Sequence, residues 1–302
     1  MHRPAPAALP AAPPAEDGSG TPHAVGQLMD SALAIADFED DHEYWTLVQR
    51  LQELGSAATY GPALLLCKSD DPGRRRLGCH LLGRMTWKTA DESDEALAVL
   101  EDRAFSEHDL QVLQAALIAL GQLGDQRGLD AVVVRAEHPS PDIRLAVASA
   151  LPSLVGQPPD PKALDVLRTL MNDPVVAVRD WATFGLGSQL DVDDDPTRAA
   201  LLERLADRDP VTNGEALVGL ARRHDRRALE AVLEHLRHFL IGSYVVDAAH
   251  ELADPRALPL LLELRDQAEV FGINPGRLDR AIASCRGMAP PTPFEQDHPA
   301  VP

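Results

Sequence analysis

The 302 residues carry 47 acidic against 28 basic side chains, a formal net charge of −19. Such a surface repels phosphate backbones and anionic lipid, which argues against nucleic acid or a charged membrane and for a basic or neutral protein partner. No run approaches the roughly 18 apolar residues of a membrane span, and Cys67, Cys79 and Cys285 fit neither a metal motif nor a disulfide framework. A cytoplasmic monomer without cofactor or metal is expected.

Residues 1–22 are rich in Ala and Pro and are expected to form a disordered tail before an ordered stack over 23–286. Apolar residues at helical spacing over 25–38 and 44–54 predict capping helices. One phrase then recurs, at 74–83 (RRRLGCHLLG), 112–121 (VLQAALIALG), 143–152 (IRLAVASALP), 178–187 (VRDWATFGLG), 212–221 (TNGEALVGLA) and 244–253 (YVVDAAHELA). Its second position falls at Arg75, Leu113, Arg144, Arg179, Asn213 and Val245, a step of roughly 31 to 38 residues. That period marks a solenoid, whose units bury their apolar faces by stacking on one another.

Each phrase reads as an amphipathic helix. Val178, Ala182 and Leu186 form one apolar stripe, which places Leu186 in the core. A second apolar helix lies between phrases, as at 163–171 and 199–205. Asp173-Pro174, Asp195-Pro196 and Asp209-Pro210 put a capping Asp ahead of a Pro, and Gly124-Asp125 ends one helix and opens the next. Helices at 257–265 and 275–285 are expected to close the stack, with 287–302 a Pro-rich tail.

The pattern V-R-x-x-A-x-x-x-L-G, following D-P, resembles the HEAT repeat over about residues 55–268, and looks most like the bacterial HEAT and phycobilisome-lyase-like branch. The resemblance implies an all-α, right-handed α–α superhelix of about six helical-hairpin repeats with helical caps. It also implies a ladder between units through an Asp six positions before the Arg. Asp173 and Arg179 keep that spacing, whereas His138 and Ser69 occupy the Asp slot of two other copies, so a broken ladder is expected.

Such a fold does not carry function with it. HEAT-like hydroxylases of deoxyhypusine use His-Glu pairs early in the phrase. Here those positions hold Arg76-Leu77, Gln114-Ala115, Leu145-Ala146, Asp180-Trp181, Gly214-Glu215 and Val246-Asp247, and His250-Glu251 comes four residues late. His235 and His238 have no evident third ligand and read as solvated. The acidic run 191–195 lacks the turn glycine of a calcium loop and reads as a helix cap. HEAT-like DNA glycosylases need a basic concave face, and the only basic clusters are Arg74 to Arg76 and Arg222, Arg223, Arg226 and Arg227. A bilin lyase lacks a chromophore thiol site here. The leading expectation is a non-enzymatic protein-binding scaffold or adaptor. The alternatives are one of these enzymes, or a regulator or immunity-type protein that binds a neighbouring gene product. In HEAT stacks the second helices line the concave side. Slots one, two, five and nine after the recurring position then bring Trp181, Phe184, Glu215, Arg222, Asp247 and His250 into one patch, unless Trp181 and Phe184 pack between repeats.

Overall fold

The structure, a computed structural model, describes residues 21–35, 42–85, 89–238, 242–268 and 272–287. The expected tails lie almost wholly outside these residues. Among the described residues there are sixteen α-helices and no strand. α1 (Thr21–Leu33) and α2 (His42–Glu53) cap the stack. Six hairpins follow: α3 (Ser56–Cys67) with α4 (Pro72–Gly83), α5 (Ala90–Ser106) with α6 (Leu110–Leu123), α7 (Leu129–Val133) with α8 (Pro141–Leu154), α9 (Pro161–Leu170) with α10 (Val176–Phe184), α11 (Asp195–Arg204) with α12 (Pro210–Arg222), and α13 (Arg226–Arg237) with α14 (Ser243–Leu252). α15 (Leu258–Arg265) and α16 (Pro275–Cys285) close the stack. Within the six hairpins, the even-numbered helices are the recurring phrase.

Local chemistry sets these boundaries. Asp209 accepts the Thr212 N–H at 2.8 Å and caps α12. Gly124 adopts φ 68° at the end of α6, and Asp125 accepts the Arg127 N–H at 3.0 Å. Two expected caps sit elsewhere. Asp194, not Asp195, caps α11, through the Thr197 N–H at 2.7 Å. Asp173 is not the N-cap of α10, which begins at Val176; its carboxylate accepts the Val175 N–H at 2.9 Å and pairs with Arg144 of the preceding repeat.

The expected stripe of Val178, Ala182 and Leu186 is wholly buried. Consecutive even-numbered helices pack more densely than consecutive odd ones. Glycines allow that approach. A Cβ on Gly121 would stand 2.6 Å from Ala150 Cα, and one on Gly219 would stand 2.7 Å from Gly187 Cα. The tighter row forms the inner side of a curved stack.

The ladder between repeats is more complete than the sequence reading expects. Arg75 bonds Glu107 (2.8 and 3.0 Å), Arg144 bonds Asp173 (2.6 and 2.9 Å) and Arg179 bonds Asp207 (2.9 and 3.1 Å). Each Arg also donates to the carbonyl six residues before it, of Ser69, His138 or Asp173. The acid comes from the next repeat, six positions before that repeat's own slot. Ser69 and His138 therefore serve through their carbonyls, and the rungs to Glu107 and Asp207 form.

Burial raises the Glu107 carboxyl, but the Arg75 bonds and the N–H groups of Asp109 and His108 outweigh it and hold it at about 2. Asp173 and Asp207 are also lowered. A depressed carboxylate contributes stability that is complete above its unfolded pKa and is lost as pH falls through its folded value. Asp247 has the opposite sign: burial, opposed by Arg277 and Arg280, raises it to about 6. Melting temperature should hold or rise slightly from pH 7 to 5, then fall between about pH 4.5 and 2. Melts followed by circular dichroism check this, and a fall beginning at pH 6 would contradict it.

Candidate binding groove

Equal slots on the even-numbered helices align into rows along the inner side. The row nine positions after the recurring slot, at the helix C-terminal ends, contains Arg84, Gln122, Ser153, Ser188 and Arg222. It opens into two clefts. One, of about 250 Å³, is lined by Arg84, Ile118, Gln122, Ser149 and Ser153 on α4, α6 and α8. The other, of about 320 Å³, is lined by Asp191, Asp193, Arg222, Arg223 and Glu251 beside α12 and α14.

The second cleft sits where α10 ends in a wide turn over Gly185–Gln189, in which the Leu190 N–H reaches the Gly185 carbonyl at 3.1 Å. That end leaves carbonyls without helical partners. Buried Arg223 takes them up, donating to the carbonyls of Leu186 (2.7 Å), Gly187 (2.9 Å), Leu190 (3.1 Å) and Val192 (2.8 Å), and to Gly219 (2.7 Å) on its own helix. Arg198 donates to the Arg223 carbonyl at 2.7 Å and pairs with Asp193 and Asp225. The side chains left facing the cleft include Asp191, Glu251 and Arg222.

The six residues of the expected patch divide. Trp181 is half-buried and meets Phe184 edge to face at 5.8 Å. Phe184 is 5% exposed and Glu215 4%, so neither stands open as the register predicts. Phe184 is enclosed where α10 passes into the wide turn. Glu215 is covered from both neighbouring repeats, accepting from Ser188 of the preceding one at 3.1 Å and sharing a hydrogen bond with Tyr244 of the next, whose hydroxyl is raised first by burial and then by Glu215 and Asp180. Asp247 pairs with Arg277 on α16 at 2.8 Å, and His250 hydrogen-bonds Ser284 at 2.7 Å. Arg222 donates to the Ser188 carbonyl and pairs with Asp191 at 3.0 Å. Four of the six thus join repeats, and only Trp181, Arg222, Asp247 and His250 keep part of their surface open.

Much of the two basic clusters is committed to structure. Arg75 is a ladder rung, Arg223 a cap, and Arg227 is held by Asp225 at 2.6 Å. His235 bonds the Ala231 carbonyl at 2.7 Å. The three cysteines are buried thiols. Among the described residues, no three His, Cys, Asp or Glu side chains are grouped to hold a metal ion, and no helix is long and apolar enough to cross a membrane.

The register did not point to the opposite end of the groove. Tyr44 on α2 hydrogen-bonds buried His80 at 2.7 Å, and burial, then Arg76 and Arg84, hold His80 at about 3. Arg84 lies over the Trp45 ring, 5.4 Å from its centroid. The signal was present, since His80 and Arg84 occupy the slots five and nine after Arg75.

Residues 102–187 match the HEAT-repeat family. Protein YibA of Escherichia coli (strain K12) is 26% identical over 231 residues, covering 74% of this chain and 80% of that protein. The X-ray structure of Escherichia coli YibA superposes with a TM-score of 0.62 at 22% identity, over 90% of this chain and 99% of that one. A chain of the Kap95:Nup1 complex gives 0.66 at 13% identity, over 91% of this chain and 42% of that one. Both likenesses concern the fold. With the repeating hairpins and the Arg–acid ladder, they show an all-α superhelix, in which residues 102–187 match HEAT repeats.

Proposed function

We propose that the chain is a non-enzymatic scaffold or adaptor that holds a segment of a basic or neutral protein partner along its inner face. The observation that carries this reading is the row of equal slots from Arg84 to Arg222, which crosses five repeats and has a cleft at either end, while charged groups around it are tied into ladder and cap. The −19 charge favours encounter with basic partners. In the second cleft Asp191 pairs with Arg222 and Asp193 with Arg198, so Glu251 is the carboxylate that a Lys or Arg of that partner would meet.

The test compares the wild-type chain with Asp191→Arg/Glu251→Arg on the inner side and Asp130→Arg at an exposed position of α7. Proteins captured from the source cell are quantified by mass spectrometry. The inner variant should lose the captured partner at an unchanged melting temperature, and Asp130→Arg should retain it. Equal capture by both, or loss confined to Asp130→Arg, would overturn the reading.

A further inference from the structure

The first helix of a hairpin turns one side to solvent, and in α5 and α13 that side is charged. α13 exposes Arg226, Glu230, Glu234 and Arg237, and α5 exposes Asp91, Glu95 and Asp102. α3 departs from this. It contains no charged residue, and its solvent side is the row Ala57, Gly61 and Leu65, spaced i, i+4 and i+8. Leu65 is 73% exposed, more than any other large apolar side chain among the described residues. Gly61 weakens a helix interior, and packing within the chain does not account for it, since a Cβ there would meet nothing within 4 Å. The row is an apolar strip that another backbone can approach closely at Gly61. Acids border it. Tyr60 donates to Glu95 at 2.7 Å and ties α3 to α5. α5 holds six carboxylates against one arginine. Asp91 and Glu95, one turn apart and exposed, form no ion pair among the described residues. The neighbouring arginines are engaged elsewhere, Arg103 with Asp102 and Glu107, and Arg127 with Asp94 and Asp125. Lys68 is the cation next to the strip, and it follows the C-terminal end of α3, beyond Leu65.

We propose that the outer groove between α3 and α5 is a docking surface for an amphipathic helix of a partner protein, whose apolar face covers Gly61 and Leu65 and whose Lys or Arg flank lies over Asp91 and Glu95. This surface is separate from the inner side of the stack and does not rest on the groove reading above. Two neighbouring helices leave between them a groove that the side-chain ridge of a third helix fills. Ala57 to Leu65 spans about 12 Å, so about three turns of a docked helix cover the strip. Charge complementarity sets the sign of the partner. A flank of Glu or Asp would stand against Asp91 and Glu95 as like charge, whereas Lys or Arg supplies the cations that these two carboxylates lack within the described residues.

Two fluorescein-labelled helical peptides of about 18 residues test this by anisotropy on the full chain at near-physiological salt. Both carry one face of Leu and Ala at helical spacing; one has Lys on the flanks and the other Glu. The Lys-flanked peptide should bind, and the Glu-flanked one should not. Leu65→Ser should weaken binding about tenfold, since it removes an apolar side chain that is buried only in the complex. Asp91→Asn/Glu95→Gln should weaken it about fivefold, as expected of two exposed charge pairs. Glu203→Gln/Glu234→Gln removes the same charge from exposed positions on α11 and α13 and should leave binding within about twofold of the wild type. All three variants should keep the wild-type melting temperature, because every substituted side chain is exposed. Equal weakening by the two double variants would mean diffuse attraction to the net charge and overturn the surface. Wild-type binding by Leu65→Ser, equal binding of both peptides, or binding of neither would overturn it as well. None of these results bears on the inner groove.

Discussion

Arg223→Ala should lower stability by on the order of 3–5 kcal/mol, the largest effect expected of any single polar substitution here. The guanidinium serves five carbonyls and has no carboxylate partner. Removing it leaves buried acceptors unsatisfied, at roughly 1–3 kcal/mol each when water does not replace the donor. Arg223→Lys should recover little, since a single ammonium cannot span carbonyls that a planar fork reaches together. The neighbouring Arg222→Ala is the control. Arg222 is partly exposed and pairs with a nearly fully exposed Asp191, so its loss should cost about 1 kcal/mol or less. Urea denaturation of the three variants ranks them. An Arg223→Ala midpoint equal to that of Arg222→Ala would show that the end of α10 does not depend on this cap.

Leu186→Ala should cost about 2–5 kcal/mol, because the side chain is wholly buried and its removal leaves a cavity. The two substitutions act on one structure, since the Leu186 carbonyl accepts from Arg223 at 2.7 Å. Their combined effect should therefore depart from the sum of the single ones. Additivity within a few tenths of a kcal/mol would mean that the wide turn and the cap are energetically separate.

The recurring phrase exposed the stack because stacked repeat units meet at equal slots, and a sequence period becomes a spatial row. Val178, Ala182 and Leu186 were legible from spacing alone. The ladder was half legible. The Arg slots stood out, but Glu107 and Asp207 became visible only when each Arg was paired with the acid of the following repeat. Site residues were harder to read. Phe184 and Glu215 have the right register for the inner face, yet a side chain's exposure depends on what the next helix places over it. Ser188 and Tyr244 do this for Glu215, and they lie 27 and 29 residues away in sequence. Arg223 looked like part of a basic cluster because a sequence shows charge and does not show which carbonyls a helix end releases. Arg84 was passed over because its partner, Trp45, belongs to the capping helix outside the repeats.

The central claim is that partners are held by the inner, even-numbered helices. In-cell photo-cross-linking tests it most directly, with p-benzoylphenylalanine placed at Ser153 on the inner row or at exposed Asp130 on α7. The expected result is a partner adduct from position 153 and none from position 130. An adduct from position 130 alone would place the binding surface on the other side of the stack and contradict the account.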